Sequence, residues 1–147
     1  MLYKSSYMEY DCDLKIGYYA LDQNCMSLNL VDKNDEPVTS ITTNLGNDIG
    51  NGSIMQFCCG FVDVNNNPNI EQFIKENELG EPYMRFGEPV IMQSGFCQYP
   101  LYQFNQEKLE QLDKVGFENY KNAFINALNK YQANMSFDNE PDITEDF

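Results

Sequence analysis

The chain has 147 residues, 42% of them hydrophobic, with no histidine and no tryptophan, and 23 acidic residues against 9 basic ones give a formal charge of −14. A field of that sign repels nucleic acid and anionic membrane surfaces, both of which need clustered cations to be bound, and the single arginine, Arg85, rules out a two-arginine phosphate clamp. Without histidine there is no Ser-His-Asp triad, no Cys-His pair and no His-containing zinc site.

A chain of this length hides roughly 70% of its unfolded surface on folding, enough for one core without disulfides. Five cysteines, Cys12, Cys25, Cys58, Cys59 and Cys97, include a vicinal pair and no C-x-x-C spacing. An odd set of that kind implies reduced thiols and a cytoplasmic chain. The opening "MLYKSSYMEYDCD" lacks the apolar run of a signal sequence, and no window reaches the roughly 18 apolar residues of a membrane span.

In chain order, the first half predicts strands. "KIGYYAL" (15–21) precedes "CMSLNLV" (25–31), in which Met26, Leu28 and Leu30 alternate with Ser27 and Asn29. That period of two describes a sheet with one wet face. The polar turn "DKNDEP" (32–37) and the β-branched "VTSITTN" (38–44) complete a hairpin over 25–44. "LGNDIGNGS" (45–53) predicts an exposed loop, and "IMQFCCGFVDV" (54–64) a central strand buried on both faces.

A short helix is predicted next, capped by Asn67, with Pro68 in its first turn, Ile70, Phe73 and Ile74 inward, and Gly80 just past its end. Irregular backbone is expected over 81–92. Extended structure resumes in "QSGFCQYPLYQF" (93–104), where Pro100 argues for an edge strand or a bulge. Parity in that strand turns Phe96, Tyr102 and Phe104 toward the core and Tyr99 outward. Residues 106–133 keep a helical phase through Leu109, Leu112, Gly116, Tyr120 and Ala127. One long helix with a close backbone contact at Gly116 is favoured over a break into two, although an interior Gly costs about 1 kcal/mol. "SFDNEPDITEDF" (136–147) has five acids and no base, and is expected to be a disordered acidic tail. The expected fold is α+β: an antiparallel or mixed sheet packed by one short and one long helix, with residues 1–135 as a single domain.

The residues give little sign of covalent chemistry. Cys97 has no base beside it, and in an aromatic strand it reads as a small hydrophobe. Cys58 and Cys59 point to opposite faces of their strand, so they make a poor joint metal site. Asp63, Asn65 and Asn67 mimic the start of a calcium loop, but Pro68 and Ile74 stand where that loop needs Gly and Glu. Short polar side chains at this spacing also make turns and caps. Glu107 and Glu110 read as a solvated helix face, with Glu110 four residues before Lys114. No cofactor, metal or enzymatic activity is expected.

The run "FVDVNNNPNIEQFIKENELGEP" (61–82) followed by "QSGFCQYPLYQF" (93–104) resembles a family of small proteins carried by conjugative transposons, plasmids and phages of bacteria. Its members show D-x-N-N-x-P, a short helix ending in Gly, then Q-S-G-F-x-x-Y-P-x-Y-x-F. At "YMRFGEPVIM" (83–92) this chain departs from them. The resemblance implies no enzymatic activity and a cytoplasmic setting in a bacterial host. Small acidic proteins of such elements inhibit host nucleases, which implies a partner with a cationic surface, such as a CRISPR effector or restriction nuclease. An anti-CRISPR or antirestriction inhibitor that mimics nucleic acid is therefore expected. The alternative is an accessory adaptor of the mobile element that binds a protein without charge mimicry. The expected contact residues are Glu107, Glu110, Asp113 and Tyr99, with Asp138, Glu140 and Asp142 of the tail. The oligomeric state is left open.

Overall fold

The computed structural model describes residues 1–45 and 55–145, with side chains through residue 133. The loop expected over 45–53 falls, from residue 46 on, outside the described residues, and the side chains of the expected tail fall outside them as well.

The chain opens with a ribbon, β1 (Leu2–Lys4) against β2 (Glu9–Asp11). A three-stranded antiparallel sheet follows, β3 (Asp13–Tyr18), β4 (Met26–Val31) and β5 (Pro37–Ser40), with β4 central. Met26, Leu28 and Leu30 are buried while Ser27 and Asn29 are half-exposed, so the alternation in the sequence marks the real faces. The β4–β5 turn is held by Asp32, whose carboxylate accepts the N–H groups of Asn34 and Glu36.

At Ile41 the chain crosses from one sheet to another. Its N–H donates to the Leu28 carbonyl at 2.8 Å, and β6 (Thr42–Thr43) then pairs with β7 (Cys59–Val62). All four residues of β7 are buried, as a near-continuous apolar run requires of a central strand. The remaining strands are β8 (Gly80–Pro82), a ribbon of β9 (Met84–Arg85) and β10 (Glu88–Pro89), then β11 (Ile91–Ser94) and β12 (Cys97–Phe104). The second sheet runs β11-β12-β7-β6, with β8 also against β12. The stretch expected to be irregular thus holds four short strands.

Pro100 does not make β12 an edge strand. β12 meets β7 only over Leu101–Gln103, and at Pro100 its partner is β11 alone. The proline sits where one side of the strand carries no ladder, so its missing N–H costs nothing there.

Helix α1 (Ile70–Glu76) buries Ile70, Phe73 and Ile74 as expected, but neither end is built as the sequence suggests. Its cap position is Asn69, while Asn67 turns inward. At the other end Glu78, at φ +55°, takes the left-handed position, with Leu79 N–H on Ile74 O and Glu78 N–H on Lys75 O. This is a Schellman ending with Glu in the place glycine usually holds. Gly80 serves packing instead, since a Cβ there would lie 2.6 Å from the Gln103 carbonyl.

The C-terminal region is two helices, α2 (Gln106–Leu112) and α3 (Lys114–Glu145), and not the single one favoured from the phase. The break is at Asp113, whose Oδ2 accepts the Ile16 N–H of β3 at 2.9 Å and whose Oδ1 accepts the Gly116 N–H at 3.1 Å. One carboxylate caps α3 and ties it to the first sheet. The close backbone contact expected at Gly116 is present: a Cβ there would collide with the Ile16 carbonyl and the Asp113 carboxylate.

The main core lies between the sheets and the helices. Phe57 stacks on Tyr120 at 5.4 Å, and the Tyr120 hydroxyl accepts the Cys58 N–H at 2.8 Å. Tyr102 and Phe104 of β12 join this core, and Cys59, Phe61 and Leu101 form a smaller cluster apart from it. Among the described residues no helix is long and apolar enough to cross a membrane.

The two-bond role of Asp113 gives a direct test. Asp113→Ala should cost about 2–4 kcal/mol, because a helix cap is lost and the Ile16 N–H is left without a partner. Gly116→Ala should cost about 2 kcal/mol through overpacking. Urea unfolding of both variants checks this, and wild-type midpoints would mean that α3 is not held to β3 in this way.

Candidate functional site

The two sequence motifs meet in space. The Asn65 carboxamide donates to the Gln98 carbonyl at 3.1 Å, joining the 63–68 loop to β12. Within that loop the side chains are occupied by structure. Asn67 is buried; its Oδ1 accepts the hydroxyls of Tyr3 and Thr39, and its Nδ2 donates to the carbonyls of Ser40 and Asp63. Asp63 accepts both the backbone and the carboxamide N–H of Asn66. Asn67 is therefore not the expected helix cap. It joins β1, β5 and the approach to α1. Among the described residues, no group of three or more Cys, Asp or Glu is placed to hold a metal ion.

The cysteines divide by burial. Desolvation pushes the thiols of Cys25 and Cys58 up to about 12 and that of Cys59 up to about 11. Burial also raises Cys12. Each favours the thiol over the nucleophilic thiolate. Cys97 is half-buried on β12.

The acidic groups divide by partner. Four lysine–carboxylate pairs are present among the described residues, Lys4–Glu9, Lys15–Asp35, Lys33–Asp11 and Lys33–Asp13, and all lie on the first three strands and the β4–β5 turn. A hydrogen bond from Lys33, 2.9 Å long, holds the exposed Asp13 carboxyl below its ordinary range. On α1, β8 and α2 the picture is different. Glu71, Glu76, Glu78, Glu81, Glu107 and Glu110 make no ion pair among the described residues.

Glu71, Glu78 and Glu81 line an open groove of about 1010 Å³ between α1, β8 and the end of β12. Lys75, Gln72, Tyr102 and Asn105 share its walls. The Tyr102 hydroxyl donates to Glu71 Oε1 at 2.7 Å, and burial together with that carboxylate raises its pKa. Asn105 also caps α2 through the Lys108 N–H, and Glu107 lies in the first turn of that helix. Carboxylates set among amides and one tyrosine suit an ammonium or guanidinium donor.

The expected contact residues separate in space. Glu107 and Glu110 are exposed on α2, the helix that follows Asn105 of the groove wall. Asp113 does not belong with them, because both its oxygens serve backbone N–H groups. Tyr99 is not turned outward; it is half-buried against the cluster of Phe61 and Leu101, on the strand face opposite Tyr102. Asp138, Glu140 and Asp142 lie beyond the described side chains. Glu71, Glu78 and Glu81 are absent from the expected set. The signal for them was faint: Glu71 shows only that it lies off the Ile70–Phe73–Ile74 face.

Phe96 also departs from expectation. It is fully exposed in the two-residue turn between β11 and β12, because Gly95 at φ +63° takes the first turn position and the strand ends at Ser94. Phe86 is likewise fully exposed, in the turn between β9 and β10, at φ +53° with Gly87 at +80°. A bulky residue at such a φ costs roughly 1–2 kcal/mol relative to one that tolerates it.

A family model described as "Domain of unknown function (DUF4313)" matches residues 13–124. Neither the curated proteins nor the solved structures contain a match.

The thiols offer a check on the burial pattern. In native protein at pH 8, an aromatic disulfide reagent should modify Cys97 first, with the other four reacting at the unfolding rate. Intact-mass spectra report this, and prompt modification of Cys58 or Cys59 would contradict it. Asn67→Ala removes four hydrogen bonds in one buried place and should cost about 3 kcal/mol or more in chemical denaturation.

Proposed function

The chain belongs to the DUF4313 family, and we propose that it acts without covalent chemistry, by presenting fixed carboxylates to a cationic surface of a host defence nuclease. The inhibition is of the anti-CRISPR or antirestriction type. The observation that carries this reading is the division of charge. At the first sheet the lysines sit on neighbouring acids. Glu71, Glu78 and Glu81 line the groove beside a single lysine, Lys75, and Glu76, Glu107 and Glu110 on the flanking helices are exposed too; none of the six makes an ion pair among the described residues. Charges already paired offer little to a partner, whereas unpaired ones on rigid elements attract and orient a cationic surface. A duplex presents one charge per roughly 1.7 Å of axis, so a nuclease channel shaped for it is a suitable target for such a surface. The mobile-element setting implied by the resemblance supports the same reading.

Each exposed charge contact is worth up to about 1 kcal/mol, so removing five should weaken binding at least tenfold. The test compares wild type with a variant carrying Glu71→Gln, Glu78→Gln, Glu81→Gln, Glu107→Gln and Glu110→Gln. Capture from host lysate is quantified at low and high salt. Wild type should retain a cationic protein at low salt and release it at high salt, and the variant should retain little at either. Equal retention by both proteins, insensitive to salt, would favour an adaptor that binds without charge.

A further inference from the structure

The two exposed phenylalanines are the feature that the charge argument does not use. Phe86 and Phe96 stand at the tips of neighbouring hairpins that spring from one place. Leu101 of β12 accepts the Tyr83 N–H and donates to the Val90 carbonyl, so the β9–β10 ribbon leaves and returns at the root of β11. Extended backbone from that root reaches four residues to Phe86 and five to Phe96, which puts the tips at most roughly 35 Å apart. One ordinary protein interface spans that distance.

Neither turn requires an aromatic. The β9–β10 turn has positive φ at both central residues, a geometry that Asn or Gly adopts with less strain than Phe86. In the β11–β12 turn Gly95 supplies the special conformation, so Phe96 serves no backbone need. Both rings are fully exposed, and Met84 and Ile91 are about half exposed. Backbone strain spent on keeping an aromatic in water points toward function, and buried aromatics are the usual anchors of interfaces.

We infer that Phe86 and Phe96 are paired anchors that insert into apolar pockets on a cationic protein surface. This rests on the reading given under Proposed function and names where that partner is gripped. Charge selects the occupant. The stretch 83–99 carries only Arg85 and Glu88, so the arms themselves are neutral. They project from a body of net charge −14, which repels both a second copy of itself and an anionic bilayer. A basic protein with apolar pockets is the surface that satisfies both parts.

The test places a benzophenone photocrosslinking amino acid at position 86 or 96 of the full chain, with positions 7 and 21 as controls, since Tyr7 and Leu21 are equally exposed but lie off the hairpins. Irradiation in host lysate should join both tips to the same basic protein and spare the controls. Excess wild type should abolish the adducts, whereas a Phe86→Asn, Phe96→Asn double variant should compete at least tenfold less well. The melting temperature of that variant should equal or exceed the wild-type value, because Asn suits the first turn better. Equal labelling from the control sites, adducts to a second copy, full competition by the double variant, or a melting temperature lowered by several degrees would each overturn the inference. If wild type captures a salt-sensitive basic protein and the double variant captures as much, the anchors fail and the charge reading stands. If wild type captures none, both fall.

Discussion

The arrangement depends on one buried carboxamide. Asn67 accepts from the hydroxyls of Tyr3 and Thr39 and donates to the carbonyls of Ser40 and Asp63. It therefore holds together the N-terminal ribbon, the end of β5 and the loop that leads into α1. Four bonds satisfy the carboxamide in a place where leaving any of them unmade would be costly. Because α1 follows directly, its outer side, with Glu71 and Gln72, is set against β8 and β12 at a fixed height. The groove is a consequence of this placement.

The same economy appears at Asp113. A side chain that only caps a helix would leave α3 free to swing on α2. By also accepting the Ile16 N–H, 97 residues away in the chain, it fixes the helix pair on the first sheet. Tyr120 does the equivalent from further along α3, through the Cys58 N–H. Two polar contacts of long sequence separation thus orient an aromatic layer whose own packing is non-directional.

What was legible in the sequence follows from this division. β4 was readable because one face is wet, and α1 because Ile70, Phe73 and Ile74 repeat at the helical period. The helix break was not, since the phase through Gly116 survives it and the cause is a hydrogen bond to a distant strand. Asn67 was recognised as a capping type, but a capping residue and a buried hub use the same short carboxamide. Phe96 was assigned inward by parity, which holds only while the strand continues, and here the strand ends at Ser94. Glu107 and Glu110 were readable as an exposed helix face, whereas Glu71 and Glu81 come together on one groove only when β8 pairs with β12. No local pattern encodes that meeting.

The footing of the β9–β10 ribbon has a structural corollary. Tyr83 and Val90 both bond to Leu101, and Val90 N–H also bonds to the Tyr83 carbonyl, so the excursion opens and closes on a single residue of β12. β8 and β11 are successive stretches of the same sheet edge, and the ribbon is an outgrowth between them. Residues can be added to or removed from it in pairs while the registers on either side stay as they are. Diversity among related chains is therefore free to accumulate here without any cost to the ladder, and "YMRFGEPV" (83–90) is that outgrowth.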